Sequence, residues 1–173
     1  MISFKRLCDN CASHGCCTDS TVPLVFSTDF EALKSIGKAQ DLYIQELDIK
    51  GRKVKALKKK QNSSNCVFWN EEKKLCSIYE QRPFDCRAYP FDILFVEGKF
   101  HWIVYSCNPD SNWEWSEKYL ERLEKDMEIN KIFDEIASFA DNTDLILPDE
   151  SKKTPYTVLR EVRFPKLPKI EQR

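Results

Sequence analysis

Apolar positions along the chain fall into short runs whose spacing changes several times. Residues 21–26 form a brief apolar stretch that reads as extended. Phe30, Leu33 and Ile36 then recur at helical spacing. This predicts a helix opening at Thr28, where Thr28 and Glu31 have capping-box form, and stopping at Gly37. Residues 42–47 suit either helix or strand, and Gly51 interrupts them. Cys66 to Trp69 and Leu75 to Tyr79 are two apolar legs around the polar residues 70–74, the pattern of a small hairpin or knuckle. A helical turn near residues 78–82 must end by Pro83, because the residue before proline is driven out of the helical region. Residues 92–96 and 100–105, joined by Glu97, Gly98 and Lys99, make the clearest strand pair.

The second half is read more coarsely. Ser116 is expected to cap the longest helix, running to about Ala140, with Trp115 and Leu120 as a hydrophobic staple. Leu120, Leu123, Met127, Ile132, Phe133 and Ile136 supply its buried side. From Pro148 onward the tail looks extended, and residues 157–164 suit an edge strand or a docking arm. The expected fold class is α+β: a small antiparallel sheet, a long C-terminal helix and irregular cysteine-bearing loops. With 173 residues, one domain covering 1–173 is the simplest reading.

Composition narrows the function. A net charge of −1 gives no argument for nucleic acid, and the five lysines between Lys53 and Lys60 read as a solvated surface. No apolar h-region precedes Cys8, and no run reaches the ~18 residues of a membrane span, so a soluble cytoplasmic protein is expected. The four glycines form neither GxGxxG nor a P-loop, which argues against a nucleotide-binding α/β enzyme.

Eight cysteines change the picture most. Cys8, Cys11, Cys16 and Cys17 crowd the start of the chain, and Cys66, Cys76, Cys86 and Cys107 follow. In a reducing compartment such a set points to metal ligands or catalytic thiols rather than disulfides. A soft cation takes thiolates, usually four at a structural site. Any one cysteine could equally be a small buried side chain. His14 reads as a turn residue that could also ligate, and His101 as packing or surface. Four thiolates around Zn²⁺ or a [4Fe–4S]²⁺ core leave a charge of about −2 by ligand count. Arg82 and Arg87 are near enough in sequence to offset it, or to pair with Glu80 or Asp85 instead.

At Arg82, Pro83, Cys86, Arg87 and Tyr89–Phe91 the chain resembles a known family, the YkgJ-like cysteine-cluster proteins described as zinc- or iron-chelating. Flagellin lysine N-methylase is related to that family. The matching positions are Cys8, Cys11, Cys16, Cys17, Cys66, the run Cys76–Tyr79, Arg82–Pro83, Cys86–Arg87 and Tyr89–Phe91, within a core of about 7–107. The four residues between Cys11 and Cys16 are a departure from its pattern. Read with the resemblance, the chain is expected to bind an iron–sulfur cluster, [4Fe–4S], or zinc. Cys11, Cys16, Cys17, Cys66, Cys76 and Cys86 are the expected ligands, with Cys8 and Cys107 as further candidates. A protein-modifying enzyme of lysine N-methylase type, a redox enzyme and a zinc-stapled module for a protein partner are the alternatives.

Overall fold

The computed structural model covers the 173-residue chain and describes residues 15–18, 22–37, 39–49, 51–105, 113–138 and 156–163. The chain divides into two compact units, Met1–Tyr89 and Pro90–Arg173. Within the described residues it is α+β, with small antiparallel sheets and short helices.

The first unit begins with a one-turn helix, α1 (Gly15–Thr18). Residues 22–26 run extended beside a hairpin strand, bridging at Leu24 and Ala56, and are held by Val25 N–H to Lys55 C=O at 2.8 Å. Helix α2 (Asp29–Lys34) follows and buries Leu33 completely. Its start differs from the capping box expected from sequence. The Thr28 side chain makes no cap bond, and the Asp29 carboxylate instead accepts the Phe26 N–H at 2.9 Å. An ionised acceptor makes the stronger bond.

Of the ambiguous residues 42–47, Ile44 to Leu47 resolve as strand, and Leu42 ends a 3-10 turn. After a 3-10 turn (Gln40–Leu42), β1 (Ile44–Ile49) pairs with β2 (Arg52–Leu57). Gly51 takes φ +82°, a left-handed conformation that favours glycine, and donates its N–H to Asp48 Oδ1 at 2.8 Å. On β2 the lysines alternate with the core. Lys53 and Lys55 are exposed, while Val54 and Ala56 are buried. Lys53 and Lys55 are therefore the solvent face of the strand, and Lys58 to Lys60 lie beyond it, half-buried. Lys53 pairs with Glu46 across the hairpin at 2.9 Å, and Lys55 lies over the Phe30 ring.

A second, minimal hairpin joins β3 (Trp69–Asn70) to β4 (Leu75–Cys76). A 3-10 turn (Tyr79–Gln81) and then α3 (Phe84–Ala88) complete the unit. Pro83, with φ −51°, stands at the N-cap of α3. Its fixed φ suits a helix start. The core gathers Val25, Leu33, Tyr43, Leu57, Cys66, Phe68, Trp69 and Ile78, and Cys17, Cys76 and Cys86 pack against it.

In the second unit β5 (Phe91–Val96), β6 (Lys99–Tyr105) and β7 (Tyr156–Glu161) form one antiparallel sheet in that order. The expected strand pair is present, turning at Glu97 and Gly98, both with positive φ. Strand β7 is an edge strand on β6, with a register shift at Trp102/Ile103.

The long helix expected to reach Ala140 is two helices instead. A 3-10 turn (Trp113–Trp115) leads into α4 (Ser116–Ile129), and α5 (Ile132–Ala137) follows. Lys131 between them adopts a left-handed φ of 55°, which no α-helix can carry through. Trp115, not Ser116, holds the N-cap position, and Ser116 is buried inside the helix. The Trp113 and Trp115 rings meet the Phe91 ring edge-on. Buried Glu124 binds Trp102 Nε1 at 2.9 Å, Arg160 through both carboxylate oxygens, and the Arg163 N–H. This fixes β7 against α4. No helix among the described residues is long and apolar enough to cross a membrane.

Candidate metal centre

Four cysteines from distant parts of the first unit line one pocket: Cys17, Cys66, Cys76 and Cys86. Leu57, Ile78, Pro83 and Arg82 complete its wall. Each thiol is delivered by a different local device. Cys17 comes from α1, whose Cys17 C=O accepts the Cys66 N–H at 2.6 Å. Ser64 Oγ adds a bond to Thr18 C=O at 2.7 Å, so α1 is tied down beside the hairpin. Cys66 precedes β3 and Cys76 ends β4. Cys86 stands in α3.

Two carboxylates lock α3 into place, and the sequence, which offers Asp85 only as an arginine partner, does not signal this role. Asp29 Oδ1 accepts the Phe84 N–H at the start of α3, at 2.9 Å, while its other oxygen holds Phe26. Asp85 Oδ2, on α3 itself, accepts the Leu24 N–H at 2.8 Å. The two bonds run in opposite directions between the same two segments, and so they orient the helix that carries Cys86. Burial pushes the Asp85 carboxyl up to about 6, and the neighbouring Asp29 charge acts the same way. No periodicity signals this clasp, because a short polar side chain before an apolar run reads first as an ordinary cap.

The electrostatics favour neutral thiols when no cation is bound. Burial raises Cys66, lifts Cys76 to about 11 and drives Cys86 well above the ordinary thiol value. The thiols also raise one another, which reflects how close they lie. Two features work in the opposite direction. The Phe68 N–H points at the Cys66 sulfur and the Ile78 N–H at the Cys76 sulfur, each from two residues downstream. Such donors stabilise a thiolate. Positive charge is the second: Arg82 lowers Cys76, and Lys59 and Lys60 lower Cys66.

The donor set fits a thiophilic metal. Four thiols, none in a disulfide, share an apolar pocket with one guanidinium and two backbone donors aimed at sulfur. The thiols ring the pocket without closing into a finished cage. Among the described residues, no three His, Cys, Asp or Glu side chains gather tightly enough to hold an ion as they stand. Of the other expected ligands, Cys8, Cys11 and Cys107 lie outside the described residues, as does His14, and for Cys16 only the backbone of α1 is described. His101 lies on β6 in the second unit, with its Nδ1 buried.

The two arginines separate in role. Arg82 faces the pocket, whereas Arg87 lies over the Phe84 ring and donates Nε–H to the Arg82 C=O at 3.2 Å.

A pocket lined by four thiols, one buried and three partly buried, on a small α+β scaffold suits a cysteine-cluster metal-binding protein. The chain belongs to the CxxCxxCC family, described as “Putative zinc- or iron-chelating domain”, whose model matches residues 7–108. No curated protein and no solved structure matches the chain.

Proposed function

We propose that this chain holds a zinc ion or an iron–sulfur cluster through Cys17, Cys66, Cys76 and Cys86. Cys11 and Cys16 are the next donors from the N-terminal cluster, and Cys8 and Cys107 the last. The observation that carries this reading is the gathering of four thiols, from segments far apart in sequence, around one pocket. Membership of a zinc- or iron-chelating family supports it independently.

Four cysteinates satisfy tetrahedral zinc and equally a cubane cluster. The [4Fe–4S] form is the first to test, because the sequence-adjacent cysteines Cys16 and Cys17 suit a polynuclear centre. When bound, zinc would supply a structural crosslink, and the cluster a one-electron centre as well. The protein's own part is to present the sulfurs, keep water from them with Leu57, Ile78 and Pro83, and hold donors toward Cys66 and Cys76. Thiols kept reduced suit a cytoplasmic setting.

Anaerobic purification followed by zinc, iron and sulfide analysis tests this reading. Iron and inorganic sulfide in equal amounts, with the broad visible absorbance of a brown cluster protein, support the cluster. A colourless protein with stoichiometric zinc replaces it with zinc. A protein that takes up neither metal overturns the reading.

A further inference from the structure

We propose that Arg82 is a positioning residue of the thiol pocket, and that its guanidinium sets how tightly the pocket holds a thiolate-bound metal. This rests on the metal reading above and asks which side chain, beyond the sulfurs, controls the centre.

Among the described residues lining the pocket, Arg82 is the one with a positive charge. Its place is fixed from two sides by a single residue. Arg82 Nε donates to Tyr79 C=O at 3.0 Å, and the guanidinium carbon lies 3.7 Å from the centre of the Tyr79 ring. The backbone beneath is equally constrained. The 3-10 turn Tyr79–Gln81 precedes Arg82, Pro83 follows it, and Arg87 binds its carbonyl. A planar, permanently charged group held by a ring face and a carbonyl has lost most of its side-chain freedom before any ligand arrives. It therefore adds its charge to the pocket at little further entropic cost.

That charge matters because of what surrounds it. Four cysteinates on a divalent ion leave about −2 by count. Leu57, Ile78 and Pro83 give the pocket apolar walls, where uncompensated charge is expensive. Two backbone N–H groups reach Cys66 and Cys76 but carry no net charge. Arg82 supplies the positive charge among the residues that line the pocket, while Lys59 and Lys60 act on Cys66 without lining it.

The test measures zinc affinity of the full-length, metal-free protein by competition with a chromogenic chelator, and the Co²⁺ absorption of the same samples. Arg82→Gln is expected to weaken Zn²⁺ binding roughly 10- to 100-fold, the usual effect of losing a group just outside the ligand set. Arg82→Lys should lose less, because it keeps the charge without the planar stack. The Co²⁺ spectrum of Arg82→Gln should keep its thiolate pattern, since the sulfurs are untouched. Wild-type affinity in Arg82→Gln overturns the proposal; if Cys86→Ser loses metal in the same assay, the metal reading still stands. Should Arg82→Gln fail to fold, Arg82→Lys decides. Affinity near wild type supports the charge role, and a loss as large as that of Cys86→Ser overturns it. A wild-type chain that takes up neither zinc nor iron overturns both.

Discussion

Replacing Cys86 with serine is the sharpest probe of the pocket. The side chain stands on α3, partly buried against the core, with its thiol held neutral by desolvation and by the nearby Asp85 and cysteines. Without metal, the change swaps a weakly polar group for a hydroxyl in an apolar wall. Such a swap costs about 1–3 kcal/mol if the hydroxyl finds no partner. With metal the loss is larger. A ligand present at a thousand times its Kd stabilises the folded state by ~4 kcal/mol. For a chain of this size each kcal/mol moves the melting temperature by roughly 2–4 °C. Chelator should therefore lower the wild-type transition by about 8–16 °C. The variant should melt near the chelated wild type or a few degrees below it, respond little to chelator, and contain far less metal. Scanning calorimetry with and without chelator, beside elemental analysis, reads all of this. If Cys86→Ser keeps both its metal and a wild-type chelator response, Cys86 is not a ligand and the pocket assignment fails.

Three further outcomes follow from the geometry. Metal uptake at pH 7 should release protons, close to one per thiol bound, because Cys66, Cys76 and Cys86 are all raised and so start protonated; titration in two buffers of different ionisation enthalpy counts them, and a count near zero contradicts the neutral pocket. Asp85 is raised from 3.8 to about 6, so its neutral form suits the fold, and that contribution is present below pH 3.8 and lost as pH rises through 6. Asp85→Asn should thus gain melting temperature over wild type at pH 7.5 and lose that advantage at pH 4; an advantage independent of pH refutes the assignment. Glu124→Ala removes the buried acceptor of Arg160 and Trp102, whose ion pair with Arg160 is 14% and 8% exposed, and should cost the second unit about 3–5 kcal/mol by urea denaturation. A shift under ~1 kcal/mol, the range of exposed pairs, would show that the clasp is loose.

The parts legible in the sequence were those with one dominant signal. The β5–β6 hairpin announces itself through two apolar runs around Glu97 and Gly98, and the β3–β4 legs through apolar residues flanking a polar turn. The β1–β2 hairpin was harder. Its alternation of Lys53, Val54, Lys55 and Ala56 is genuine, but Lys58 to Lys60 continue the charge beyond the strand and blur the period. The break between α4 and α5 does leave a trace in the sequence. Buried apolar positions step from Leu120 to Leu123 to Met127 and then five positions on to Ile132, while Ile129 is 69% exposed. That change of phase is where Lys131 turns left-handed. In the pocket, the cysteines and Arg82 could be named in advance, but the Asp29–Asp85 exchange could not. It depends on two backbone N–H groups whose partners lie 55 and 61 residues away, and long-range pairing of that kind has no local sequence pattern.

The wide spacing of the pocket thiols also sets a clock during synthesis. Cys17 leaves the ribosome roughly seventy residues before Cys86, an interval of about 4–14 s at ordinary elongation rates. Through that time the first sulfur is a nascent-chain thiol with no completed pocket to shelter it. Asp85 emerges one residue ahead of Cys86, so the second half of the carboxylate clasp and the last thiol reach the growing chain almost together. If the proposed metal is held at this pocket, its capture awaits near-completion of the first unit, and stalled or truncated chains ending before α3 would be excluded from it.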